Sequence, residues 1–151
     1  KILIAVGSGP NTSLALRLGM ALAYREGTRL TALRIIQEEL DEEKIEDQTF
    51  LLSDIIETEL GAIPECVVPR IGIAPTVVGG ILAEINQQAY DLMIIGAGVE
   101  VFSPKHLFGR VVDALVEETP IPMLIVRRYQ SEPALWLHNR IKQIEDTQTP
   151  S

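Results

Sequence analysis

The chain has 151 residues and a net charge of −8, and 46% of it is apolar while only 5% is aromatic. That length supports one domain with a single core of two or three layers, built here from Ile, Leu, Val and Ala. The charge leaves no surplus of Lys and Arg to displace counterions, which excludes a nucleic-acid footprint, and no apolar run is long enough to span a membrane.

Taken in chain order, strands and helices alternate. Ile2–Val6 reads as a first strand, and Leu14, Leu18, Ala21 and Leu22 mark a helix behind Asn11, Thr12 and Ser13 as candidate caps. Leu30–Ile36 is a second strand. A second helix is expected within Asp41–Leu60, stopping at Gly61. Cys66–Val68 is a short third strand; a helix follows Pro75, with Val78, Ile81, Leu82 and Ile85 on one face. Leu92–Ile95 is the fourth strand. Phe108, Val111, Val112, Leu115 and Val116 form the stripe of a fourth helix, and Met123–Val126 closes the series. The strands are near-continuous apolar runs, as in a parallel sheet buried on both faces. Strict alternation then means an α/β fold with right-handed crossovers.

Several features need separate explanation. Gly79-Gly80 falls inside the third helix at a cost of about 1 kcal/mol per glycine, which close helix packing explains. Ten of the 21 acidic residues crowd Glu38–Glu59 with only Lys44 among them, a solvated face or else a docking patch for a basic partner. Ser131-Glu132-Pro133 starts a further helix with Ala134, Leu137, Ile141 and Ile144 on one face, so residues 129–151 are expected to form a partly helical extension. Cys66, the single cysteine, fits a reducing compartment. The chain opens on Lys1 already in a strand pattern, which suggests a piece of a longer protein.

In open α/β sheets ligands sit beyond the carboxyl ends of the strands. Two glycine loops stand there, Gly7-Ser8-Gly9 and Gly96-Ala97-Gly98, and both lead toward helix N-termini able to meet an anion. A phosphate or adenine-nucleotide site therefore includes Gly7, Ser8, Gly96 and Gly98. Neither loop completes the dinucleotide fingerprint, since Thr12 and Val101 occupy the third glycine positions. Walker and nucleophile-elbow motifs are absent. Cys66, His106 and His138 lack metal-site spacing. Nothing in the sequence orients His106 toward Ser8 or Ser103, so no catalytic residue is expected, and Lys105 and His106 read as loop residues that at most meet a phosphate.

Ile2-Leu3-Ile4-Ala5-Val6, Leu14–Ala23, Gly72-x-x-Pro75, Asp91–Gly96, Gly109 and Thr119-Pro120-x-Pro122 through Val126 occur in order and at matching distances. On these pieces the segment Lys1–Arg128 resembles a universal stress protein domain. The resemblance implies a five-stranded parallel sheet of order 3-2-1-4-5 with helices on both faces, a homodimer and a regulatory role rather than catalytic turnover. Nucleotide-binding members carry Gly-x-x-Gly, nine residues, then Gly-Ser or Gly-Thr. Gly96 and Gly109 match at that length, while Val99 replaces the second glycine, Arg110 the hydroxyl residue, and Gly7 the acid after the first strand. Arg110 has two readings, a phosphate contact or a surface ion pair with Asp113 and Glu117 at helical spacing.

The function expected from the sequence is a non-catalytic regulatory or assembly domain with a degraded nucleotide motif, a cytoplasmic module of a transporter or channel. The alternative is a stress-response sensor binding ATP or AMP. The expected partners are a second copy, paired through Pro122–Arg127 of the fifth strand, and the membrane portion of a parent protein.

Overall fold

A computed structural model describes residues 1–24, 27–39, 41–98 and 108–129. Its elements alternate throughout: β1 (Ile2–Ala5), α1 (Thr12–Leu22), β2 (Leu30–Ile36), α2 (Glu42–Leu60), β3 (Val67–Ile73), α3 (Val77–Gln87), β4 (Leu92–Gly96), α4 (Arg110–Glu118) and β5 (Met123–Val126). The sheet is parallel and ordered β3-β2-β1-β4-β5. β1 lies at its centre, with Ile2 opposite Leu30 on one side and Leu92 on the other.

The period-two geometry of β1 divides the core into two layers. Ile2 and Ile4 pack with Leu16 of α1 and with Leu52 and Ile56 of α2. Leu3 and Ala5 face the other way, onto Ile81 and Ile85 of α3 and Leu115 of α4. Because both faces are covered, the strands need no polar side, which is why they read as unbroken apolar runs.

Local signals set the helix ends. Asp41 accepts the Lys44 amide at 3.0 Å to start α2, and Gly61 stops it in the left-handed region at φ 81°. Thr76 caps α3 through the Gly79 amide, also at 3.0 Å. Gly80 is buried against β2, where a β-carbon would lie 2.8 Å from two carbons of Ile35 and 3.0 Å from the Ala74 β-carbon. Close helix–sheet packing thus accounts for the costly glycine.

Three expectations change. The third strand runs from Val67 to Ile73 rather than ending at Val68. Pro69 interrupts its sequence pattern, but β3 is an edge, and the Cys66 carbonyl that accepts the Leu30 amide fixes which residues face β2. Alternation then points Pro69 outward, where its missing N–H costs no ladder bond. The fourth helix starts at Arg110 rather than Phe108, and of its expected stripe Val112 and Leu115 are buried while Val111 and Val116 are exposed. Asn11 stands at the head of α1 but makes no side-chain cap, because its side-chain oxygen accepts the Arg128 amide instead. The expected helical extension lies, apart from Tyr129, in residues 130–151, outside the described residues. Among the described residues no helix is long and apolar enough to cross a membrane.

Candidate ligand cleft

Since β1 and β4 are parallel neighbours with Ala5 opposite Ile95, the loops that leave them emerge side by side. Between them opens a cleft of about 640 Å³. Its first wall is the loop 7–11. The Thr12 hydroxyl donates to the Gly7 carbonyl at 3.0 Å and so folds that loop back on the head of α1. Its second wall is Gly96-Ala97-Gly98, tied to β5 by the Ala97 amide donating to Val126 at 2.8 Å.

Asn11 joins the two walls. Its buried amide nitrogen donates to the Ala97 carbonyl at 2.8 Å, and its side-chain oxygen accepts the Arg128 amide at 2.9 Å. One short side chain thus satisfies backbone groups from two segments that have left the sheet.

The entry to α4 is equally constrained. Gly109 is buried at φ 100°, a conformation L-residues rarely adopt. The Gly98 amide donates to the Phe108 carbonyl at 2.9 Å, and the Asp113 carboxylate accepts the Phe108 amide at 3.0 Å.

Gly7, Ser8, Gly96, Gly98, Gly109 and Arg110 all line this cleft, so the structure brings the six sequence-derived candidates together. Val99, Val101, Ser103, Lys105 and His106 lie outside the described residues, as does His138. Gly96 has a purely structural duty that its position in a glycine loop concealed: a β-carbon there would lie 2.9 Å from the Asn11 carbonyl carbon and β-carbon. The ion-pair reading of Arg110 is overturned. Among the described residues it pairs with neither Asp113 nor Glu117, and Asp113 is used as the cap of the Phe108 amide.

Arg34, which the sequence reading missed, also lines the cleft from the end of β2 and is half-buried. Its signal was a charge inside an otherwise apolar strand. Leu33, Ile35, Ile81 and Ile95 supply apolar surface below the polar loops. No carboxylate is among the described residues lining the cleft. Such a site offers backbone amides, an arginine at the head of α4 and an apolar wall, the chemistry that receives an anion joined to a flat or apolar body.

A second polar cluster links α3, β3 and the segment before β4, with Glu84 and Tyr90 buried and Arg70 exposed. Tyr90 donates to Glu84 at 2.6 Å, and Arg70 contacts the other carboxylate oxygen at 3.2 Å. Burial, reinforced by the Glu84 carboxylate, pushes the Tyr90 hydroxyl up to about 12. Among the described residues no group of three or more His, Cys, Asp or Glu side chains converges as metal ligands would.

The universal stress protein family model matches residues 1–127. The chain belongs to the universal stress protein family. Solved structures share the fold of this universal stress domain at low identity. A universal stress protein from Archaeoglobus fulgidus in complex with dAMP aligns with TM-score 0.62 and 17% identity, over 83% of this chain and 96% of its own. The hypothetical protein MJ0577 aligns at 0.66 and 18%, over 87% and 98%. A universal stress protein in complex with cAMP aligns at 0.62 and 15%, over 85% and 97%. No curated protein matches this universal stress domain.

Proposed function

We propose that this universal stress domain is a non-catalytic regulatory or assembly module whose cleft takes an adenine nucleotide only weakly. The observation that carries the reading is the pairing of an open cleft between two glycine loops with the loss of its side-chain anchors. Gly7 offers no carboxylate where nucleotide-binding members have an acid, and a β-carbon there would meet only the Gly9 amide nitrogen, at 3.9 Å, so nothing crowds the position. Arg110 supplies a guanidinium where a hydroxyl is usual. The expected dissociation constant for Mg-ATP is no tighter than about 100 μM, roughly −5.5 kcal/mol. Titration calorimetry with Mg-ATP and AMP measures it.

A second reading, an ATP or AMP sensor of ordinary affinity, is favoured by the dAMP and cAMP complexes of its structural neighbours. A low-micromolar constant in the same titration selects it over the first.

The module is further assigned to the cytoplasmic side of a transporter or channel. The family resemblance supports this, since such domains occur appended to membrane proteins. A parent reading frame with apolar spans upstream of Lys1 is the expected finding; one that starts within a few residues of Lys1 overturns it. The second copy is assigned to β5, an edge strand whose Met123, Leu124 and Ile125 are all partly exposed.

A further inference from the structure

A single peptide plane carries the second wall of the cleft. The Ala97 carbonyl accepts the Asn11 side-chain amide at 2.8 Å. The Gly98 N–H, the other half of the same peptide unit, donates to the Phe108 carbonyl at 2.9 Å. In a trans peptide these two groups point in opposite directions, and among the described residues no peptide bond is cis. The unit is therefore gripped from both sides, by the head of α1 and by the entry to α4. Gly98 has no β-carbon to restrict it, so those two bonds decide how the plane is turned.

Asn11 is built for this duty. It is 6% exposed, and both polar atoms of its side chain are bonded to backbone, the nitrogen to Ala97 and the oxygen to the Arg128 amide. A residue in its position ordinarily caps the helix, yet α1 has no side-chain cap and no acid in its first turn. Gly96 leaves the room that Asn11 fills. Only an amide of this size offers one donor and one acceptor there; a carboxylate could accept from Arg128 but could not donate to Ala97.

We propose that Asn11 is the positioning residue of the cleft. It locks the Ala97–Gly98 peptide, sets through Phe108 the entry to α4 at which Arg110 stands, and ties both to the exit of the chain from β5 at Arg128. Its bearing on the ligand rests on the reading of the cleft as a nucleotide site.

The test is amide hydrogen exchange of the ligand-free full chain, followed by NMR, together with titration calorimetry with AMP; circular dichroism verifies each variant's fold. The Leu30 amide, which donates to Cys66 within the sheet, reports any general loss of stability. Asn11→Ala is expected to speed exchange of Gly98 at least about tenfold more than that of Leu30, although the acceptor of the Gly98 amide is untouched. Asn11→Asp is expected to free Gly98 while keeping Arg128 protected, whereas Asn11→Ala exposes both. AMP is expected to bind Asn11→Ala about tenfold more weakly than the parent, and to bind Tyr90→Phe, altered outside the cleft, as the parent does. Unchanged Gly98 protection in Asn11→Ala overturns the lock, and unchanged Arg128 protection overturns the tie to β5. Gly98 released with AMP affinity unchanged overturns the positioning role and leaves the nucleotide reading standing. Absence of AMP binding by the parent overturns that reading, and exchange of Gly98 still decides the lock.

Discussion

Gly96 and Asn11 approach so closely that a β-carbon on the glycine would sit 2.9 Å from both the carbonyl carbon and the β-carbon of the asparagine. The contact joins the end of β4 to the head of α1, and backbone rather than a flexible side-chain tip must yield. Gly96→Ala is therefore expected to destabilise the domain by about 1–3 kcal/mol, the usual range for overpacking. Gly7→Ala, which makes only an ordinary contact of 3.9 Å at an ordinary φ, is expected to stay within about 0.5 kcal/mol. Urea denaturation of both variants measures the difference, and equal midpoints would refute it.

The uncrowded position of Gly7 also permits a restoration. Gly7→Asp places a carboxylate at the end of β1 without a clash. It is expected to fold and to bind AMP roughly tenfold tighter, a gain of about 1.4 kcal/mol. Calorimetry checks it: unchanged AMP affinity in a folded variant would show that the missing acid is not what weakens the cleft.

Tyr90 predicts a loss of stability in alkali. Its hydroxyl is raised from 10.0 to about 12 by burial and by Glu84, so the folded state holds the proton that the unfolded state has released. The contribution is fully present below pH 10 and is lost as pH rises toward 12. It amounts to about 2–3 kcal/mol. About 1.4 kcal/mol of it is lost between pH 9 and pH 11, and chemical denaturation at those two pH values measures that fall. Tyr90→Phe, though less stable at neutral pH by about 1–2 kcal/mol through loss of the Glu84 bond, should lose correspondingly less between those two pH values. A variant as alkali-sensitive as the parent would sink the assignment.

The β5 dimer can be tested without disturbing the core. The Pro122 and Val126 carbonyls accept amides from Met93 and Ala97, which fixes Pro122, Leu124 and Val126 as the residues facing β4. Alternation turns the backbone of Met123 and Ile125 outward. Ile125→Pro thus removes an edge donor but no bond to β4. A charge at Ile125 is a poorer probe, because its side chain packs on the core with α3 and α4. Light scattering during gel filtration is expected to find a dimer for the parent and a folded monomer for the variant. A parent monomer rules the interface out.

The strand order and the nine elements of the described residues were legible in the sequence, though for different reasons. Alternation and buried-strand composition identified the elements, while order 3-2-1-4-5 followed only from the family resemblance, since periodicity carries no information on strand adjacency. β3 was cut short because Pro69 and Gly72 break the pattern, and only an edge position makes that proline harmless. At the cleft, the glycines were legible as loops but their duties were not. Gly96 reads the same whether it makes room for a phosphate or for Asn11. Arg34 was passed over because it sits within a strand, and only the strand's length brings that residue level with the crevice. Asn11 looked like a helix cap, and its true bonds reach Ala97 and Arg128, far beyond local spacing.

β1 and β4 lie beside one another although Ile2 and Leu92 are ninety positions apart, and the cleft opens across that junction. The half of the sheet made by β1, β2 and β3 closes through short crossovers, whereas seating β4 against it closes a far longer loop. A molecule that touches both loops therefore fastens the seam at which the two portions of the chain meet, and it can bind only after the seam has closed. Its binding free energy is added to the opening of β4 from β1 as well as to global unfolding. In amide hydrogen exchange the protection should spread along Ile2–Ala5 and Leu92–Gly96 together, well beyond the residues in contact with the ligand.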